Sequence, residues 1–264
     1  MTVCLVRGTN DVGSAVAHAL FRAGYSIVLH DEPAPAHARR GMAFVDAMFD
    51  GVAWLAGVLA KRSRDLDDLP PMLRCGRAVP AAREPISQVL ASVQPDVLVD
   101  ARMRKRSQPE RQIGLARLTI GLGPNFCAGT TTEVAIETGW GDDLGRVIRH
   151  GVTRPLEGEP QPIEGIARDR YLYAPIGGIF RTDRRIGDTV SAGTVIASIG
   201  ETELRAPISG CIRGLTHAGV QVDLHTKVIE IDPRNDPALV FGLGRRPLAI
   251  AAGVLTAVQE ELSR

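Results

Sequence analysis

Lysine is nearly missing from this 264-residue chain. Only Lys61, Lys105 and Lys227 occur, so 28 of the 31 basic residues are arginine. Against 30 acidic residues the formal net charge is +1, which speaks against nucleic acid or an anionic membrane surface as a partner. Cysteine is sparse as well. Cys4, Cys75, Cys127 and Cys211 stand singly, with no C-x-x-C pair. That excludes the common thiolate zinc and iron–sulfur motifs and suits a reducing, cytoplasmic setting. No metal site is expected. The chain has no leader-like apolar N-terminal segment and no uninterrupted apolar run of about 18 residues, so neither secretion nor a membrane span is expected. It also lacks a G-x-S-x-G elbow and an H-E-x-x-H pair, the usual marks of serine and zinc hydrolases.

What is present is a duplication. The segments starting at Leu172 and Leu204 align without a gap and coincide at ten positions, among them Ala174/Ala206, Pro175/Pro207, Gly178/Gly210, Gly187/Gly219 and Val190/Val222. Composition alone would give roughly two matches. Each copy reads Ala-Pro, a glycine turn, a short apolar strand, a second glycine turn and a further strand. Neither copy can bury its apolar face alone, so the two must clasp each other. The A-P-x-x-G and G-D-x-V-x-x-G signals resemble the biotinyl/lipoyl carrier fold, which implies an all-β barrel-sandwich. A carrier would need an attachment lysine at the hairpin tip between the halves. Here the tip is Gly200, Glu201, Thr202, Glu203, so no covalent biotin or lipoate is expected.

The N-terminal part reads differently. Val3–Val6 is an apolar strand, Arg7–Ser14 a glycine-containing turn, Ala15–Ala23 a helix and Ser26–Leu29 a second strand. This opening predicts an α/β, Rossmann-like domain with a mainly parallel sheet. The turn is G-x-N-x-x-G, with Asn10 where a dinucleotide fingerprint has glycine. Gly8, Asn10, Asp11 and Gly13 are candidate ligand contacts, and Asp31 stands near the place of a ribose-binding carboxylate. The alternative is simply a tight turn. Asp96–Asp100 is a further strand. The loop after it carries Asp100, Arg102, Arg104 and Lys105, which suit a phosphorylated ligand; the alternative is a solvated basic loop. After the strand Leu118–Ile120 come Gly121, Gly123, Pro124 and Asn125, a second loop that lets a ligand approach the main chain. No catalytic residue is identified. Cys127 has no nearby histidine in sequence to act as its base.

The domain plan is 1–150 for the α/β domain, 151–170 for a Pro/Gly-rich linker, 171–233 for the repeat and 234–264 for a loop and last helix. The apolar stripe Leu248, Ala251, Leu255, Val258 and Leu262 predicts that this helix packs back on the first domain.

Taken together, Arg7-Gly8 with Asp11, VLVDARMRKR from Val97, IGLGPNFCAG from Ile120, IET from Ile136, LGRVI from Leu144 and AIAAGVL from Ala249 resemble one family. It is the accessory proteins of selenium-dependent molybdenum hydroxylases. The resemblance implies a maturation factor that binds a nucleotide or molybdopterin-type ligand and docks to a molybdenum hydroxylase client, with homo-oligomerisation left open. A second reading, from the β-α-β opening, is an NAD(P)-dependent oxidoreductase.

Overall fold

The computed structural model describes residues 1–104, 107–155 and 160–263. The chain forms two units. One is Met1–Pro33, Ala43–Leu156 and Leu243–Arg264; the other is Ala34–Met42 and Glu157–Gly242.

The first unit contains β1 (Val3–Arg7), α1 (Asp11–Arg22), β2 (Ser26–His30), α2 (Ala47–Asp50), β3 (Val52–Leu55), β4 (Val58–Arg62), α3 (Leu69–Cys75) and β5 (Val79–Ala82). It continues with α4 (Ile86–Val93), β6 (Val97–Asp100), β7 (Leu118–Leu122), β8 (Cys127–Ala128), β9 (Val134–Ile136), β10 (Val147–Ile148) and β11 (Gly151–Val152), and it includes the last helix α5 (Arg245–Leu262). Nine strands make one sheet in the order β10-β9-β7-β6-β1-β2-β5-β4-β3. The seven from β9 to β4 run parallel, and β10 and β3 are antiparallel edges. Strands such as VCLV and VLV are apolar throughout because both faces of the sheet are covered. Val12, Val16, Leu20, Phe44, Met48, Ile250 and Val254 belong to the core on one face. Leu69, Leu73 and Val89 join Val3, Leu5, Val28 and Leu98 on the other.

The expected Rossmann-like domain is corrected to this large mixed sheet. Its edges turn antiparallel, and among the described residues no helix connects β6 to β7 or β7 to β9. α5 packs on α1 and also meets β7, β9 and β10. Its buried residues are Pro247, Ile250, Ala251, Gly253, Val254, Ala257 and Val258, while Leu248 of the expected stripe is exposed. The helix turns its small residues inward because it lies backbone to backbone on the turn before β10. A Cβ on Gly253 would sit 2.0 Å from the Gly145 carbonyl oxygen. The segment Pro237–Leu262, which ends in α5, is long and apolar enough to cross a membrane by length and composition, yet this inward face makes α5 a core helix of its unit.

β3 and β4 form a hairpin closed by Ala56-Gly57 with both φ angles positive (46° and 79°), the signature of a tight primed turn. In α3, Pro70 and Pro71 occupy first-turn positions that need no intrahelical N–H bond.

The second unit holds β12 (Tyr171–Tyr173), β13 (Gly178–Arg181), β14 (Thr189–Val190), β15 (Val195–Ile199), β16 (Thr202–Arg205), β17 (Gly210–Leu215), β18 (Gln221–Val222) and β19 (Lys227–Asp232). They form two four-stranded antiparallel sheets, β12-β19-β17-β14 and β16-β15-β13-β18. The repeat maps β12, β14, β13 and β15 of the first copy onto β16, β18, β17 and β19 of the second. Each sheet therefore takes strands from both copies, β14 pairing with β17 and β13 with β18. The expected biotinyl/lipoyl-like barrel is corrected: strand pairing stops at β12, β14, β16 and β18, and among the described residues no ladder joins the two sheets.

Two buried carboxylates on β19 hold this unit together. Glu230 accepts from Arg39 Nε at 2.8 Å and Nη2 at 3.1 Å, from Arg170 Nη1 and from Lys227 Nζ at 3.4 Å. Asp232 accepts from Arg213 and Arg234 at 2.9 and 2.6 Å. Arg39 thereby ties the Ala34–Met42 segment to the repeat, assisted by the Leu215 amide donating to Ala38 O at 2.7 Å. Burial opposes ionisation of Glu230, but the charges of Arg39 and Lys227 and the Arg39 hydrogen bonds override it and hold its carboxyl well below the usual range.

Glu230→Ala should destabilise the second unit by about 3–5 kcal/mol, because it strands buried guanidinium groups. The folded-state pKa lies below the unfolded one, so the unfolded chain takes up more protons as the pH falls. The Glu230 contribution is therefore complete above the ordinary glutamate pKa of about 4.3 and is lost on acidification below it. Thermal melts of wild type and variant should draw closer as the pH falls from 4 to 3, with part of the difference still present at pH 3. For the first unit, Gly253→Ala separates helix propensity from packing. Propensity alone would stabilise by about 1 kcal/mol, whereas the contact with Gly145 should destabilise by about 1–3 kcal/mol, a sign that denaturant unfolding reads directly.

Candidate functional site

The candidate site lies at the carboxyl edge of the parallel strands. Arg7 ends β1, opposite Asp100 at the end of β6, which in turn stands opposite Gly121 in β7. The chain leaves β1 for β2 on one side and later returns to place β6 on the other. The β1/β6 boundary is thus the topological switch point, where open α/β sheets bind ligands.

The glycine loop there is closed by its own residues. The Gly8 amide donates to His30 O at 2.7 Å. The Thr9 amide and hydroxyl both donate to Asp31 Oδ2, at 2.6 and 2.7 Å. Asn10 caps α1, its Oδ1 accepting from the amides of Val12 and Gly13, while its Nδ2 donates to Ala101 O at 2.8 Å. Asp11 opens the first helical turn beside this cap. Gly8, at φ +113°, would clash with Ala101 O at 2.7 Å if it carried a Cβ, and a Cβ on Gly13 would lie 2.0 Å from Gly8 O. The close approach that glycine permits is spent on the protein's own Ala101 segment, and the side chain at Asn10 occupies helix amides that would otherwise face an anion.

The second glycine loop is filled too. A Cβ on Gly121 would fall 2.0 Å from the Phe126 ring. Gly123 O accepts from Thr153 Oγ1 at 2.6 Å, and the sulfur of Met103 lies 3.5 Å from its Cβ position. Pro124 is buried, and Asn125 takes a left-handed turn at φ +71°. The two loops share one sheet edge, but Ala101–Met103 and Phe126 occupy the space beside them. Dinucleotide binding between the loops is corrected on this ground.

What the same edge does present is a charged cluster. Arg102 grips Asp100 with Nε at 2.9 Å and with Nη2, and Gln112 Nε2 donates to Asp100 at 2.5 Å. Glu110 accepts from Arg7 Nη1 at 3.3 Å, from Arg102 Nη2 at 2.5 Å and from Arg104 Nη2. Arg7 is only 8% exposed, and its Nε has no hydrogen-bond partner among the described residues; the same holds for Gln112 Oε1. Burial and then the neighbouring Arg102 charge push the Arg7 pKa down, partly offset by Asp100 and Glu110. Burial opposes ionisation of Asp100, but the Arg102 hydrogen bond and charge keep its carboxyl below the usual range. Glu110 is likewise held down to about 2, the Arg102 hydrogen bond overriding partial burial. His30 is pushed down chiefly by burial, so it adds no charge here at neutral pH.

Of the expected contacts, Asp100, Arg102 and Arg104 belong to this cluster, and Lys105 lies outside the described residues. Arg7, Glu110 and Gln112 were missed as site residues. A cation ending an otherwise apolar strand, as in VCLVR, was the available signal for Arg7. Nothing marks Glu110 and Gln112 in a polar loop. Among the described residues no group of three or more His, Cys, Asp and Glu could hold a metal ion.

No protein-family model matches the chain. It is 35% identical over 254 residues to the Escherichia coli K12 protein described as "Uncharacterized protein YqeB", the match covering 96% of this chain and 47% of that protein. The chain thus spans about half the length of the curated relative it matches. Among solved structures it is similar to a succinylglutamate desuccinylase/aspartoacylase from Rhodobacter sphaeroides, at 14% identity and a TM-score of 0.26, covering 87% of this chain and 84% of that one. An aspartoacylase family protein from Mesorhizobium loti matches at 17% and 0.24, covering 56% and 60%. The product-bound ectoine utilization protein EutE (DoeB) from Ruegeria pomeroyi matches at 19% and 0.24, covering 33% and 28%. None of these descriptions names a molybdenum hydroxylase, its maturation or a nicotinamide-dependent oxidoreductase. The expected family and both functional readings are corrected accordingly.

Asn10 offers a direct test of how the loop closes. Asn10→Ala removes the α1 cap and the tie to Ala101 together and should lower unfolding stability by about 1–2 kcal/mol. A fall in the denaturant midpoint at unchanged slope is the expected reading.

Proposed function

We propose that the first unit binds a small oxyanion, a carboxylate- or phosphate-bearing metabolite, at the Arg7/Arg102/Arg104 cluster beside the switch point. The observation that carries this reading is Arg7. A guanidinium buried at the end of a central strand, with Nε lacking a partner among the described residues, is costly unless something compensates it. Planar guanidinium forks match the two oxygens of a carboxylate or phosphate, and Asp100 with Gln112 holds Arg102 in place from behind. Four unpaired cysteines support a reducing, cytoplasmic setting, and the net charge of +1 continues to argue against nucleic acid.

Isothermal titration with inorganic phosphate and with malonate tests the proposal. Wild type should bind at least one of them, and more weakly as salt rises. Arg104→Ala, at a partly exposed position, should weaken binding about 10- to 100-fold through loss of a charge-assisted hydrogen bond, and Arg7→Met should abolish it. Unchanged affinity in both variants would place the anion elsewhere.

A further inference from the structure

Glu110 is held as a ligand would be. Its Oε1 accepts from Arg7 and Arg102 and its Oε2 from Arg104, so three guanidinium groups from two chain segments close on one carboxylate. The exposures run in opposite directions: the Glu110 side chain is 46% exposed and that of Arg7 only 9%. The anion therefore stands at the mouth of the cluster and a cation at its base. The Glu110 contact with Arg7 is the longest of the three, at 3.3 Å, and it engages one nitrogen while Nε stays unpartnered among the described residues. Glu110 belongs to the irregular connection between β6 and β7, so it can move without breaking a strand ladder.

We infer that the Glu110 carboxylate stands in for the carboxylate of the ligand, and that binding displaces it. This rests on the anion site proposed above. A ligand carboxylate seated deeper than Glu110 would accept from Arg7 Nε and Nη2, the two donors on one edge of the guanidinium, a paired geometry that Glu110, held through Nη1, does not achieve. Glu110 is thus a built-in competitor. It keeps the arginines compensated when the site holds no ligand, and it sets a threshold that the ligand must exceed. Because the stand-in is a carboxylate, the ligand's anchoring group is one too, rather than a phosphate.

The test uses the full chain, with propionate (the Glu side chain without its backbone) and inorganic phosphate as probes. Glu110→Gln keeps the shape and removes the competing charge. Propionate should bind it about tenfold tighter than wild type, because the binding-competent state no longer has to be freed first. In Glu110→Ala, propionate should raise the melting temperature at constant ionic strength, while the wild-type melt stays nearly unmoved. Glu110→Asp should give an intermediate propionate affinity. Propionate affinity in Glu110→Gln equal to or below that of wild type would overturn displacement and leave the anion site standing. Phosphate binding Glu110→Gln more tightly than propionate does would overturn the carboxylate assignment. Failure of both probes with wild type and with all three variants would overturn the anion site itself.

Discussion

The buried carboxylate of Asp100 governs the carboxyl edge of the sheet. It sits at the end of a central strand, where desolvation alone would favour its neutral form, and stays ionised because Arg102 and Gln112 donate to it. Everything next to it follows from that pairing. The chain must turn sharply after β6 to bring Arg102 back onto Asp100, and this turn presses Ala101 against Gly8 and Gly13. The same turn presents Arg102 and Arg104 beside Arg7. A loop that looks made for a phosphate is therefore filled by backbone, and the positive charge moves one strand over.

The second unit solves a different problem with similar means. A duplicated segment cannot bury the apolar face of one copy by itself, and the two copies exchange strands so that each sheet is shared. The exchange leaves Glu230 and Asp232 on one strand with no water to solvate them. Arginines from the other elements and from the Ala34–Met42 segment replace that water. A carboxylate in the middle of an apolar strand thus specifies which pieces of chain belong together.

How much of this was legible in the sequence depended on the range of the interactions. Val3–Val6, the helix expected over Ala15–Ala23 and the strand ending at Asp100 follow from local apolar runs and turn residues, although the helix begins four residues earlier, at Asp11, because Asn10 caps it. The repeat was legible because Ala-Pro and glycine positions recur at fixed offsets. What failed was what long-range contacts decide. The fingerprint at Gly8 could not reveal that Ala101 would occupy it, nor could Gly121 reveal Phe126. Of the expected helix stripe, Ala251 and Val258 are buried and Leu255 and Leu262 pack partly buried against the core, but Leu248 is exposed, and Gly253 faces inward instead because the neighbouring backbone lies so close. Duplication suggested closure into a barrel, but short edge strands ended the pairing first. Glu110 and Gln112 gave no local signal at all, since their partners are fixed only once β1 and β6 lie side by side.

The order of the chain gives the last helix a particular burden. α1 is made before the second unit, yet much of its apolar surface is covered by α5, which is made only after the whole of the second unit. During synthesis the first unit must wait with Val12, Val16 and Leu20 incompletely sheltered until residues 245–262 emerge. Such an interval exposes a nascent chain to aggregation and favours binding by chaperones. Ribosome-bound chains stopped short of residue 245 would therefore be the sticky species, and release of the last helix the event that ends their exposure.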